Sequence, residues 1–139
     1  MQLSPHFTLA ELTFTNHRTL DNTPDADSLK NLTRLAEFLE KVRAILGAPI
    51  DVNSAYRSPA VNTSVGGKPT SQHCKGCAAD IKVSGMTPDQ VVRKIKDSGL
   101  PFDQLIREFD AWTHVSISEG TKPRNQVLII DKKGTRPYA

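Results

Sequence analysis

The chain has 139 residues, 37% hydrophobic and 24% charged, with a net charge of +3 and a pI near 9.0, which suits one globular domain over residues 1–139 built on one core. No apolar run approaches the roughly 18 to 20 residues of a membrane span, and the opening "MQLSPHFTLAEL" lacks the basic start and apolar centre of a signal peptide, so stable membrane insertion is excluded and synthesis in the cytoplasm is expected. Two cysteines are too few for the disulfide framework of a secreted mini-protein, and the scattered positive charge mildly favours polyanionic partners, nucleic acid being set aside for want of an aromatic or helix-turn-helix signature.

In chain order, "TLAE" at Thr8–Glu11 has capping-box spacing and predicts a short helix. A polar loop over 15–27 follows. From Ser28, the residues Leu29, Leu32, Leu35, Ala36, Leu39, Val42, Ile45 and Leu46 recur at three- and four-residue steps, one face of an amphipathic helix that Gly47 and Pro49 stop. "PIDVNSAYRS" reads as a strand entering a loop, and "NTSVGGKPTSQH" as a loop with turn glycines at Gly66 and Gly67. Ala79 to Val83 is a short apolar strand. Thr87 as N-cap, Pro88 at the first helical position and Gly99 as terminator predict a second helix. "FDQLIREF", "WTHVSIS" and "QVLIID" are strands, the first two separated by Asp110 and Ala111 as a hairpin. Helices followed by a run of strands predict an α+β fold, an antiparallel sheet with helices packed on one side.

The segment "SQHCKGCAAD", Ser71 to Asp80, gathers a histidine, two cysteines and an aspartate. A catalytic zinc takes about three protein ligands and leaves a position open for water. His73 and Asp80 are two candidates, and the third must lie elsewhere. His6 and His17 sit in the polar N-terminal region and read as exposed side chains. His114 differs: alternation in "WTHVSIS" puts Val115 and Ile117 toward the core and Trp112, His114, Ser116 and Ser118 on the opposite face, where a cleft can form. Cys74 and Cys77 allow three readings: half of a structural zinc site, a redox pair, or small half-buried residues beside the loop. The last is preferred, because no second cysteine pair and no βαβ pattern accompany them.

"SAYRSPAVNTSVGGKPTSQHCKGCAADI" together with "FDQLIREFDAWTHVSIS" resembles the zinc D-Ala-D-Ala carboxypeptidase and L-alanyl-D-glutamate endopeptidase family of peptidoglycan peptidases. Its Ser-x-His-x-x-Gly-x-Ala-x-Asp motif is met by Ser71, His73, Gly76, Ala78 and Asp80, and its Trp-x-His segment by Trp112 and His114. "FTLAELT" and "DNTP" are similar to phage and prophage members. The resemblance implies one Zn2+ per chain, held by His73, Asp80 and His114 in a cleft on the sheet. It also implies a substrate-carboxylate contact at Arg57, whose planar guanidinium suits paired hydrogen bonds. Ser71, Gln72 and Trp112 are further candidates for substrate or neighbouring contacts.

One position departs from the family pattern: members carry a carboxylate three residues before the second histidine, where this chain has Ala111. Glu108 is then the preferred general base, expected opposite His114 across the hairpin, with Asp110 the second candidate. The implied function is zinc-dependent cleavage of the peptidoglycan stem peptide, as an endopeptidase or a D-Ala-D-Ala carboxypeptidase. The absent signal and small basic chain fit a monomeric phage endolysin that reaches the wall, in the periplasm or outside, during host lysis. The alternative is a non-catalytic, zinc-containing cell-wall binding module, which Ala111 keeps open.

Overall fold

A computed structural model describes residues 1–120 and 122–138. Strands β1 (Gln2–Ser4) and β2 (Phe7–Thr8) form a small antiparallel ribbon leading into α1 (Leu9–Leu12). Thr8 and Glu11 make the reciprocal capping box that their spacing predicts. The long helix α2 (Ala26–Leu46) starts two residues before Ser28, because Asp25 is its cap and accepts a hydrogen bond from Ser28 N at 2.8 Å. Gly47 ends it at φ 66°, where a side chain would be strained.

Strand β3 (Asp51–Ser54) leads to α3 (Pro59–Ser64), a six-residue helix in a segment whose sequence reads as loop. Its start has the right chemistry: the Ser58 side chain accepts from Val61 N, and Pro59 occupies the first turn. A 3-10 turn over Gln72–Lys75 delivers the chain to β4 (Ala78–Lys82). Helix α4 (Pro88–Ser98) has Thr87 and Gln90 as its capping box and Gly99 as terminator. Four strands close the chain: β5 (Gln104–Glu108), β6 (Trp112–Ser116), β7 (Gln126–Asp131) and β8 (Gly134–Pro137).

The main sheet has the order β3-β4-β6-β5-β7-β8. Every neighbouring pair is antiparallel except β5 and β7, which run parallel because the chain passes the start of β5 after β6 and returns on its far side. Helices α2 and α4 bury Leu32, Leu35, Leu39, Val42, Val91, Val92 and Ile95 against Ala79, Ile81, Leu105 and Val115 of the sheet. The α+β architecture with helices packed on the sheet is thus the one expected, with one parallel pair added.

Side-chain alternation turns Asp80, Ile106, Glu108, Trp112 and His114 to the opposite face. The hairpin register differs from expectation in one respect. Glu108 pairs with Trp112, and Ile106 faces His114. The turn is centred on Asp110 rather than Ala111, with Phe109 and Asp110 at φ 52° and 51° and Ala111 N donating to Glu108 O at 2.9 Å. Moving a turn centre by one residue moves each partner by two, so Glu108 keeps its face and becomes a diagonal neighbour of His114.

Candidate metal centre

Two adjacent strands and one short turn carry the three donors. Asp80 and His114 face each other across β4 and β6, and His73 comes over them from the 3-10 turn. That turn is fixed at both ends. Ser71 Oγ accepts from His73 N at 3.2 Å, and Gly76 closes it at φ 76°, where a Cβ would come within 2.6 Å of Ser28 O. Donor atoms of His73, Asp80 and His114 lie within 4.8 Å of one another, the one such cluster among the described residues.

The orientation of each ring is set by its other contacts. His73 Nδ1 is 2.7 Å from Ala55 O, so it carries the proton, and Nε2 is left facing Asp80 Oδ2 at 3.4 Å. His114 turns Nδ1 to Asp80 Oδ1 at 3.1 Å, and the rings stand 5.2 Å apart at 70°. Burial lowers the pKa of His73 below the usual imidazole value, which favours the neutral ring a metal needs, although Asp80 pulls the other way. Burial opposes ionisation of Asp80, but its contacts with the His114 and His73 imidazoles outweigh it and hold the carboxyl well below its usual range. Two imidazole nitrogens, one carboxylate and an open side facing a cleft of about 740 Å3 fit a zinc ion with a position left for water.

Arg57 and Glu108 flank the donors. Arg57 lies just past the end of β3, two residues after Ala55, and its backbone N–H donates to His73 O at 3.0 Å, coupling it to the metal turn. Its side chain is only 16% exposed, with Nη2 3.8 Å from Asp80 Oδ2 and Nη1 donating to Asn62 Oδ1 at 3.3 Å, while Nε is buried without a partner. Glu108 Oε1 lies 3.9 Å from His114 Nδ1. Burial raises the Glu108 pKa and the Asp80 charge adds to it, His114 and the Arg57 charge offsetting part of the effect. Asp110 points elsewhere: it is 64% exposed and bound by Arg107, so it does not join the cleft.

The other candidates divide. Ser71 serves as the turn cap, and the Gln72 amide donates to Asp103 Oδ2 at 2.8 Å and to Ile117 O at 3.3 Å, so both have structural work besides lining the cleft. Trp112 lines the cleft with its ring 6.0 Å from Phe109 and its Nε1 buried and unpartnered. His6 and His17 are exposed, the former bound to Glu40. Cys74 and Cys77 are free thiols outside the donor cluster, and burial pushes the Cys77 thiol up to about 11, which suits a packing role.

Sequence reasoning passed over Asn62. It is buried, holds Arg57 Nη1, and anchors the following loop by donating to Lys68 O at 2.8 Å. Gly67 packs so close that a Cβ there would fall 2.0 Å from Asn62 Oδ1. The signal that could have found Asn62 is the Ser58–Pro59 helix start, which puts the residue four positions after Ser58 one turn along and back over Arg57.

A cleft over a sheet, with two histidines and an aspartate at its floor, is an arrangement that can hold a metal ion. The model of the Peptidase M15 family matches residues 5–116, so the chain belongs to that family of zinc metallopeptidases. The match contains all three donors, Arg57 and Glu108. No curated protein matches the chain.

Proposed function

We propose that this chain, acting as one domain, is a zinc peptidase that hydrolyses a peptide bond of the peptidoglycan stem peptide, as a lytic endopeptidase of the phage or prophage type. The observation that carries the reading is the arrangement of a carboxylate, Glu108, and a half-satisfied cation, Arg57, on either side of a three-donor metal centre in one open cleft.

His73, Asp80 and His114 would hold the ion, which supplies Lewis acidity at the scissile carbonyl and lowers the pKa of water. Arg57 binds a substrate carboxylate through its fork of N–H donors and so places the scissile bond over the floor of the cleft. Glu108, its proton affinity raised by burial, takes the proton of the attacking water on Oε1 and returns it to the leaving amine nitrogen. Water then adds hydroxyl to the carbonyl carbon and hydrogen to the amine, so the bond breaks with no net change in the protein. The chain is made in the cytoplasm, works as a monomer and acts on the wall once it has access to it.

The test is a digest of purified peptidoglycan by zinc-loaded wild type, His73→Ala and Glu108→Gln, with metal content measured alongside and released ends identified by mass spectrometry. Wild type is expected to cut. His73→Ala should lose metal and activity together, and Glu108→Gln should keep metal while losing about 100- to 10,000-fold in rate. One zinc per chain with nothing released would overturn the catalytic reading and favour a zinc-containing wall-binding module.

A further inference from the structure

The cleft continues past Arg57 across the sheet toward β3, where the segment 14–17 after α1 forms its far wall, and that groove belongs to the site already described. A different hollow, of about 300 Å3, adjoins the metal turn and contains none of the three donors. Its walls are the turn itself, at Gln72 and Lys75, and the segment between β6 and β7, at Glu119, Lys122 and Arg124. Thr70, Gln72 and Arg124 line both this hollow and the cleft, so the two are neighbours.

Its chemistry excludes two roles. Cys77 lines the hollow, but burial pushes that thiol up to about 11, so it offers no thiolate nucleophile at neutral pH. Asp103 and Glu119 do not make a cation site, because Asp103 is already bonded to Arg124 and Gln72 and three cations share the lining with them. What the hollow presents is positive charge short of partners. Lys75 and Lys122 are exposed and form no ion pair among the described residues. Arg124 gives Nε and Nη2 to Asp103, which leaves Nη1 unbonded among the described residues. Lys68, two residues before Thr70 on the cleft wall, adds a fourth cation without an ion pair.

An unused acceptor is the second observation. Gln72 Nε2 donates to Asp103 and to Ile117 O, while Gln72 Oε1 is buried with no donor. A hydroxyl entering beside that amide supplies the missing hydrogen bond. Cationic donors on three sides select an anion with several oxygens, and a phosphate flanked by hydroxyl-bearing carbons combines both features. A phospholipid headgroup shares this chemistry, but its acyl chains would meet a lining that has no aliphatic or aromatic side chain. We infer that this hollow docks a polyol phosphodiester, the repeating unit of an anionic wall polymer, with its phosphate among Lys75, Lys122 and Arg124 and a hydroxyl against Gln72. Such a grip beside the cleft holds the protein on the wall and raises the local concentration of stem peptide. The inference rests on the peptidase reading for its choice of a wall polymer.

Zinc-loaded protein is titrated calorimetrically with a synthetic glycerol phosphate oligomer, with an uncharged polyglycerol of equal length, and with phosphatidylglycerol vesicles. The same titrations use two double variants of equal net charge: Lys75→Gln, Lys122→Gln at the hollow, and Lys132→Gln, Lys133→Gln between β7 and β8. Zinc content and hydrolysis of soluble stem peptide are measured for each, and both should match wild type. If the hollow variant loses zinc, Lys122→Gln alone, which lies outside the metal turn, takes its place. Wild type and the β7–β8 variant are expected to bind the phosphate oligomer alike, and the hollow variant about tenfold more weakly. Equal loss in both variants would reduce the effect to net charge and overturn the inference. Polyglycerol binding as tightly as the oligomer, vesicles binding more tightly than it, or no binding at all would do the same. Oligomer binding that depends on the hollow lysines, in a protein that cuts no stem peptide, would uphold the docking site and defeat the peptidase reading.

Discussion

Asp103, immediately before β5, is a buried carboxylate on which three segments meet. It accepts from Gln72 Nε2 in the metal turn, from Arg124 N at 3.1 Å and from the Arg124 side chain at 3.0 and 2.6 Å. Hydrogen bonds from Arg124 hold its pKa down at about 2 against the opposing effect of burial. A carboxyl with a folded pKa below its unfolded value of about 3.9 stabilises the fold above that value, and the contribution is lost as pH falls toward 2. Asp103→Asn should therefore lose about 1–3 kcal/mol at neutral pH and show a shallower decline in stability between about pH 4 and 2, read by urea denaturation across that range; a decline as steep as that of wild type would assign the effect to other carboxylates. Gly67→Ala makes a separate prediction. Its Cβ would collide with Asn62 Oδ1, displacing Arg57, so KM for carboxylate-bearing substrates should rise several-fold with zinc content unchanged. Loss of zinc in that variant would mean the loop, not Arg57, was disturbed. His73 and Asp80 were legible as a pair because they share one short segment, and strand alternation pointed to the face of His114, but the set of three donors followed only from the resemblance to the peptidase family. Asn62 and Asp103 were not legible, because a buried polar residue shows its role only through partners: Gln72 lies 31 residues from Asp103.

Helix boundaries were read well because capping chemistry is written in neighbouring residues. Thr87→Ala, which removes the cap of α4, should lower stability by about 1 kcal/mol with no change in zinc content, measurable by thermal denaturation and metal analysis. The short elements were harder to read. Helix α3 has six residues, and β8 is exposed along its whole length, so neither offers the apolar period on which sequence reading depends. The hairpin tip was misjudged by one residue for a different reason: Phe109 and Asp110 both adopt positive φ, a choice that favours glycine or asparagine and that neither residue advertises. Contacts on the helix side hold the tip. Arg107 joins Asp110 to Asp89 of α4, and Tyr138 donates to Asp89 Oδ1 at 2.7 Å. Tyr138→Phe should cost about 1 kcal/mol, seen as a lower midpoint in urea, and an unchanged midpoint would show that water replaces the hydroxyl at no net loss.

Across the whole molecule, the metal centre and the core share the same strands. Ala79 and Ile81 pack under the helices while Asp80 between them faces the cleft, so an ion bound at the donors holds the 3-10 turn, β4 and β6 together. Chelation should leave a folded chain, because the core does not need the metal, but lower its melting temperature; zinc at about 100 times its Kd restores about 2.7 kcal/mol. A melting temperature indifferent to both chelator and zinc would show that the three side chains do not bind the ion together. The fold class was legible from the order of elements, whereas the groove crossing the sheet was not, because it depends on the placement of segment 14–17 against a turn some 40 residues away. The parallel β5–β7 pair bears on the order in which the molecule assembles. β5 and β6 close through a short turn, an event of about 1–10 μs, while β7 can dock only after the chain has rounded the start of β5. Strands β7 and β8 should then be the last to join and the first to detach, exchanging amide hydrogens faster than Leu105 or Val115. One wall of the groove, where Ile130 stands, would open transiently while the donors on β4 and β6 stay in place, giving a bulky polymer a way in from the side.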